Sequence, residues 1–177
     1  MVEYSRIFAM PNSETFKIKP IGEFVNKYTQ GAEVIVDPFA RDSQIGTITN
    51  DLNPKTSAQH HMEAREFLTM LVDQRCQADV VLYDPPYSPT QIAECYNASG
   101  LTAQMVDTQN ATLKSRCMGF IDSILKPGGV LLSFGWNSMG MGIKYPHLEV
   151  MMVYHGGAHN DTICVAQKKN VSDVRLI

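Results

Sequence analysis

The sequence contains few cysteines, and none of them are spaced as in a zinc site. A CxxC pair is absent, and no carboxylate or thiol stands at ligand spacing from the histidine pairs His60–His61 and His155/His159. We therefore expect no metal site, polar loops at the histidines and reduced thiols in a cytosolic protein. The four cysteines are Cys76, Cys95, Cys117 and Cys164.

Long apolar runs and an excess of positive charge are also absent. No run approaches the roughly 18 residues of a membrane span, and the first 20 residues lack the apolar core of a signal peptide. The formal net charge is -3, so bulk charge gives no support for nucleic-acid binding. Without repeats or a linker-like stretch, the 177 residues, of which 44% are hydrophobic and 19% charged, are expected to form one domain.

Short β-branched runs alternate with amphipathic segments along the chain. This alternation, followed by two late strands close together, predicts a mostly parallel α/β sheet with an antiparallel C-terminal edge strand. Helices are predicted at 62–72 and from about Asn110 to Leu125, where Lys126-Pro-Gly-Gly129 ends the second one. The predicted strands are 33–37, 47–51, 79–84, 130–134, 149–154 and 162–167.

The motif Asp84-Pro85-Pro86-Tyr87 follows the most apolar strand, at the end where open α/β sheets bind ligands. A carboxylate and a main-chain carbonyl can together accept both N–H groups of an amine and aim its lone pair at an electrophile. Two prolines hold such a turn rigid, and the tyrosine offers a flat face for a base. The alternative is a rigid strand-ending turn without a ligand.

These residues resemble the DPPY motif of the adenine-specific DNA methyltransferases that use S-adenosylmethionine, especially the short phage-type members. The resemblance covers nearly the whole chain and implies a Rossmann-like methyltransferase fold. It implies that residues 84–87 hold the target amine. Cofactor-binding roles fall on Asp37-Pro38-Phe39, on Asp51 for the ribose, on Glu63 for the adenine, and on Lys19 in the N-terminal segment 16–20.

The Asp51 and Glu63 carboxylates also have a structural interpretation. Asp51 precedes Leu52-Asn53-Pro54, where an aspartate is ordinary turn chemistry. Glu63 opens a predicted helix, whose dipole favours an acidic residue.

The first cofactor motif departs from its family in two ways. Arg41 stands where a glycine is expected, and Asp51 comes only 14 positions after Asp37, too few for a crossover helix. A loop or a single helical turn is expected at 40–46. These departures favour an alternative, a non-catalytic cofactor-binding subunit of a larger complex.

A target-recognition region is not visible, so residues 1–177 are expected to be a single methyltransferase catalytic domain. Segments 88–109, 135–144 and 155–161 are the candidate substrate-facing pieces. Trp136 is expected to pack in the core or in its loop rather than to stack on the substrate. The expected partner is DNA, with base flipping and with specificity supplied by a second copy or another subunit. RNA adenine and a protein amide remain alternative substrates. The resemblance implies a cytoplasmic protein of a bacterial cell or its phage, with no membrane contact.

Overall fold

The computed structural model describes residues 1–86, 88–100, 110–157 and 160–171. Within these ranges, the chain forms seven strands, four α-helices and two short 3-10 helices. The strands are β1 Glu3–Phe8, β2 Ile35–Asp37, β3 Ile48–Thr49, β4 Ala78–Tyr83, β5 Leu125–Gly135, β6 His147–Tyr154 and β7 Thr162–Lys168. The helices are α1 Lys19–Thr29, α2 Ala64–Asp73, α3 Pro89–Ala98 and α4 Asn110–Ile124.

All the strands form one sheet in the order β1-β6-β7-β5-β4-β2-β3. Strand β7 is antiparallel to both of its neighbours, and the other adjacent pairs are parallel. This confirms the mostly parallel α/β sheet with an antiparallel C-terminal strand. The antiparallel strand β7 does not lie at the edge, however, because it pairs with β5 on one side and with β6 on the other. The N-terminal strand β1 pairs with β6 and forms the edge.

The sequence analysis did not predict β1, because its residues do not alternate between a buried and an exposed face. Five of its six residues are exposed, as expected of a strand that has a neighbour on one side only. Its register is parallel to β6, with Glu3 opposite Glu149. The resulting edge strand carries the exposed apolar residues Tyr4, Ile7 and Phe8.

Helices cover both faces of the sheet. On one face, α2 and α4 pack Phe67, Leu68 and Ile121 against the strands. On the other face, α1 contributes Ile21, Phe24 and Val25 to a second core. Strand residues alternate between the two cores, since side chains point to opposite faces at period two. Among the described residues, no helix has the length and apolarity that crossing a membrane requires.

The predicted elements recur with shifted ends, and two helices were missed. Helix α1 begins with Lys19-Pro20, where proline suits the first turn, and α3 begins after Ser88 with a capping box to Gln91. Strand β5 starts at Leu125 instead of Val130, so Lys126–Gly129 lies in the strand. Gly129 is needed there, because a Cβ would lie 3.1 Å from the carbonyl oxygens of Ala78 and Asp79.

Candidate functional site

Strands β2 and β4 are neighbours, so the motifs that follow them lie side by side. Val36 pairs with Val81 in parallel register, which brings the residues after Asp37 next to those after Tyr83. The ring of Phe39 packs edge-on against that of Tyr83, with centroids 5.5 Å apart. The two motifs singled out from the sequence therefore meet at the carboxyl edge of the sheet, where open α/β folds bind ligands.

Asp37 is fully buried at this edge. Its Oδ1 accepts the main-chain N–H of Phe39 at 3.1 Å, whereas Oδ2 has no hydrogen-bond partner in the described part of the chain. Burial raises the pKa of Asp37 to about 8, and the nearby carboxylates of Asp84 and Asp51 add to this shift. The site thus contains a carboxyl group whose ionised form is poorly solvated and which a neighbouring positive charge would stabilise.

A cleft of about 910 Å³ opens beside this edge, between the β2 and β3 ends and helices α2 and α3. Of the cofactor and catalytic residues predicted from the sequence, it is lined by Pro38, Phe39, Asp51, Glu63 and Pro86. Apolar walls come from Leu52, Met62 and Ile92. Glu66 and Asp73 also line the cleft. Carboxylates beside apolar walls suit a ligand that combines a flat ring with hydroxyl or amino groups.

The Asp51 carboxylate is held by the main chain. Its Oδ1 accepts the N–H of Asn53 at 2.8 Å, and Oδ2 accepts the N–H of Arg41 at 3.1 Å. A carboxylate oxygen has two lone pairs, so each oxygen keeps one acceptor position after these bonds. The turn chemistry expected of this aspartate is therefore present, and it orients the carboxylate without using all its acceptors.

Asn50 is a site residue that the sequence analysis missed. Its side chain is buried and donates to the carbonyl oxygens of Pro38 at 3.1 Å and Met62 at 3.0 Å, while its Oδ1 accepts from Met62 N–H at 3.1 Å. Its main chain bonds to Asp37 and Ala40 as well. Asn50 thus joins the three segments that form the cleft floor. The available signal was a polar residue directly before Asp51 in a predicted strand.

Glu63 is the residue before the first turn of α2. Its side chain makes no capping hydrogen bond to the helix, although its carbonyl accepts from Phe67 N–H at 2.9 Å. The helix-opening position expected from the sequence is confirmed, while the carboxylate itself lines the cleft.

Beyond β4, Asp84 is half-buried, Pro85 is buried, and Pro86 is half-buried and lines the cleft. Tyr87 lies outside the described residues. Lys19 does not line the cleft: its side chain is 87% exposed and its Nζ lies 4.0 Å from Glu23. Ser13, which precedes segment 16–20, contacts the loop after β2, because its carbonyl oxygen accepts from Arg41 Nη1 at 2.7 Å.

The loop after β5 lies next to the end of β4, since Tyr83 pairs with Ser133 in parallel register. The fully buried Gln167 holds this loop. Its amide accepts from Met141 N–H at 2.7 Å and donates to the carbonyls of Gly142 at 3.0 Å and Tyr145 at 2.9 Å. Trp136, expected to pack in the core or in its loop, is 48% exposed, so it does not lie in the core. A fixed loop with an exposed aromatic ring therefore adjoins the end of β4.

The histidines bond to protein groups. His155 is buried, with Nδ1 2.9 Å from the carbonyl oxygen of Ala9 and Nε2 3.1 Å from Thr162 Oγ1. His61 Nδ1 lies 3.3 Å from the carbonyl oxygen of Asp51. His159 lies outside the described residues. Within the described ranges, no group of three potential ligands could hold a metal ion.

Comparison with known proteins identifies the type of fold. No family model matches the chain, and no curated protein matches it either. Among solved structures, it is similar to a Streptococcus mutans protein assigned as a SAM-dependent methyltransferase, with 13% identity and a TM-score of 0.55 over 86% of this chain and 48% of that one. SMU.776, assigned as a methyltransferase and solved with SAH, shares 12% identity with a TM-score of 0.57 over 82% and 47% of the two chains.

An Escherichia coli protein assigned as a methyltransferase is similar over 91% of this chain and 92% of its own, with 10% identity and a TM-score of 0.54. The chain spans about half the length of the two structures named first. At identities this low, the structural likeness establishes the fold alone. The protein therefore has the Rossmann-like fold of the S-adenosylmethionine-dependent methyltransferases.

Proposed function

We propose that the protein transfers a methyl group from S-adenosylmethionine to the exocyclic amino group of adenine in DNA. One observation carries the proposal. The cleft that contains Asp51 and Glu63 reaches Pro86 of the Asp84-Pro85-Pro86 motif, which follows β4. A cofactor in this cleft and an amine at Asp84 would be neighbours, as a direct transfer requires.

The residues of the cleft fit S-adenosylmethionine. The free acceptor positions of Asp51 suit the two ribose hydroxyls, and Glu63 suits the amino group of the cofactor's adenine. Leu52 and Met62 provide apolar surface for that ring. Asp37 has an Oδ2 without a hydrogen-bond partner in the described chain, and a cationic methionine end beside it would stabilise the ionised form of this buried carboxyl. The cofactor supplies an activated methyl group on a sulfonium.

The chain's own contribution is alignment of the amine. Asp84 accepts one amino N–H, and a main-chain carbonyl of the motif accepts the other, which localises the nitrogen lone pair. A methyl carbon supplied by the sulfonium would bond to this nitrogen with the thioether as the leaving group, and the Asp84 carboxylate would be the adjacent acceptor for the proton that the nitrogen loses. Tyr87 would stack on the base.

DNA as the substrate is supported by the resemblance of Asp84-Pro-Pro-Tyr87 to the adenine-specific enzymes. A base in a duplex has to be flipped out to reach Asp84, and a second copy or a partner subunit would supply further DNA contacts. Adenine in RNA and a protein side-chain amide carry the same type of nitrogen and are the alternatives.

The test is a transfer assay with a labelled methyl donor on DNA, RNA and protein in parallel. We expect label on N6 of adenine in DNA for the unaltered protein. Asp84→Ala should lose the label while it still binds S-adenosylhomocysteine, because Asp84 aligns the amine and not the cofactor. Glu33→Gln, an exposed carboxylate at the other end of β2, is the matched control and should retain transfer.

Label in RNA or protein alone would reassign the substrate. Cofactor binding without transfer to any of the three would favour the non-catalytic subunit. Full activity of Asp84→Ala would contradict the mechanism.

A further inference from the structure

The loop between β2 and β3 contains a backbone conformation that is unusual for its residue. Arg41 has φ 51°, in the left-handed region that favours glycine. Among the described non-glycine residues, one other, Arg75 with φ 55°, shares this property. Arg41 also stands at the position where the resemblance leads one to expect glycine. The backbone shape of a glycine turn is therefore retained although the glycine is replaced.

This backbone allows Arg41 to contact two other segments of the chain. Its main-chain N–H donates to Asp51 Oδ2 at 3.1 Å. Its guanidinium donates through Nη1 to the carbonyl oxygen of Ser13 at 2.7 Å, across 28 positions of sequence. The side chain is exposed, and Arg41 does not itself line the cleft. Arg41 thus connects Ser13, the loop after β2 and the Asp51 carboxylate, which is proposed to bind ribose.

We propose that Arg41 is a positioning residue for the cofactor, which rests on the function proposed above. It keeps the left-handed turn that orients the Asp51 carboxylate, and its guanidinium fixes that turn to Ser13. A glycine would provide the turn without the second attachment. The short connection between β2 and β3 has no helix to support it, and the arginine provides the support instead.

The experiment is calorimetric titration of S-adenosylhomocysteine into the unaltered protein, Arg41→Gly, Arg41→Ala and Arg41→Lys, each shown to be folded by urea titration. Arg41→Gly keeps the turn and loses the Ser13 bond, so we expect Kd to rise about three- to tenfold. Arg41→Ala also strains the left-handed backbone and should raise Kd further. Arg41→Lys retains a donor that can reach Ser13 and should restore part of the affinity. Arg75→Gly, at the other left-handed arginine, should leave Kd unchanged.

Two readouts separate positioning from a general loss of stability. In the ligand-free Arg41→Gly protein, amide hydrogen exchange should accelerate at residues 13–14 and 41–42 and stay unchanged in β4. Combining Arg41→Gly with Asp51→Asn should raise Kd by less than the product of the single effects, since both changes act through the same carboxylate.

If the unaltered protein binds S-adenosylhomocysteine and both Arg41→Gly and Arg41→Ala bind it with the same Kd, the proposed role of Arg41 is overturned. The proposed function is not affected by that result. Multiplicative effects in the double variant would also overturn the role of Arg41. No binding by the unaltered protein would overturn the proposed function and this role together.

Discussion

Asp37 makes the stability of the protein fall as the pH rises. The carboxyl is fully buried, one oxygen accepts a single hydrogen bond, and its pKa is raised from 3.8 to about 8. The folded state therefore holds the proton more tightly than the unfolded state. The stabilisation is fully present below about pH 4 and is lost as the pH rises through about 8.

The magnitude follows from proton linkage. Between these two pH values, one proton's difference changes the free energy of unfolding by about 1.4 kcal/mol per pH unit. Over the whole window this amounts to on the order of 5 kcal/mol, a large fraction of the stability of an ordinary domain. Asp37→Asn is neutral at every pH and should lose this dependence.

The assay is urea unfolding of the unaltered protein and Asp37→Asn at pH 5, 6, 7 and 8. Between pH 5 and 7, the difference between the two free energies of unfolding should move in favour of Asp37→Asn by more than about 1 kcal/mol per unit, and the slope should diminish as the pH approaches 8. The slope is the readout, because the amide has its own hydrogen-bonding needs in the buried site. Asp42→Asn, at an exposed carboxylate two positions after Ala40, controls for the loss of a charge. Parallel curves for the unaltered protein and Asp37→Asn would refute the reasoning.

Two further predictions concern buried amides. Asn50→Ala removes three side-chain hydrogen bonds and should lower the free energy of unfolding by about 2–4 kcal/mol. Asn53→Ala, which loses a bond at an exposed position, should cost under about 1 kcal/mol in the same urea titration, and equal losses would contradict the role of Asn50. Gln167→Met releases Met141, Gly142 and Tyr145, so acrylamide should quench the fluorescence of Trp136, the one tryptophan, more strongly. Unchanged quenching would show that Gln167 does not hold this loop.

Much of the sheet could be predicted because its central strands are short apolar runs. Strand β4 is buried along its length, and its hydrophobic character alone identifies it. The edge strand β1 has no buried face to reveal it, since its pairing depends on main-chain bonds to β6. Local patterns cannot report which strand takes the edge, because that is decided by pairing across distant parts of the chain.

The site could be predicted where a motif places chemistry at a strand end. Pro38, Asp51, Glu63 and Pro86 all line one cleft, as expected of residues that act together. Asn50 was missed because its role consists of hydrogen bonds to Pro38 and Met62, which lie 12 positions away on either side. Lys19 was chosen from a weak resemblance, and its exposed position beside Glu23 reflects the outward face of α1.

Arg41 shows how a departure from a motif can preserve its geometry. From the sequence alone, the arginine favoured a non-catalytic cofactor-binding subunit. Its left-handed backbone and its bond to Asp51 retain the shape of a glycine turn. Whether a residue replaces glycine without loss depends on the contacts that compensate for the strained φ, and these contacts come from residue 13.

The most direct test of the central claim is the binding of the cofactor at Asp51. S-adenosylmethionine should be titrated calorimetrically into the unaltered protein, Asp51→Ala and Glu33→Ala, since Glu33 is an exposed carboxylate away from the cleft. The cleft predicts saturable 1:1 binding that Glu33→Ala retains and that Asp51→Ala weakens at least tenfold, because a charged acceptor of two hydroxyl donors is lost. No heat of binding to the unaltered protein, or equal affinity in Asp51→Ala, would contradict it.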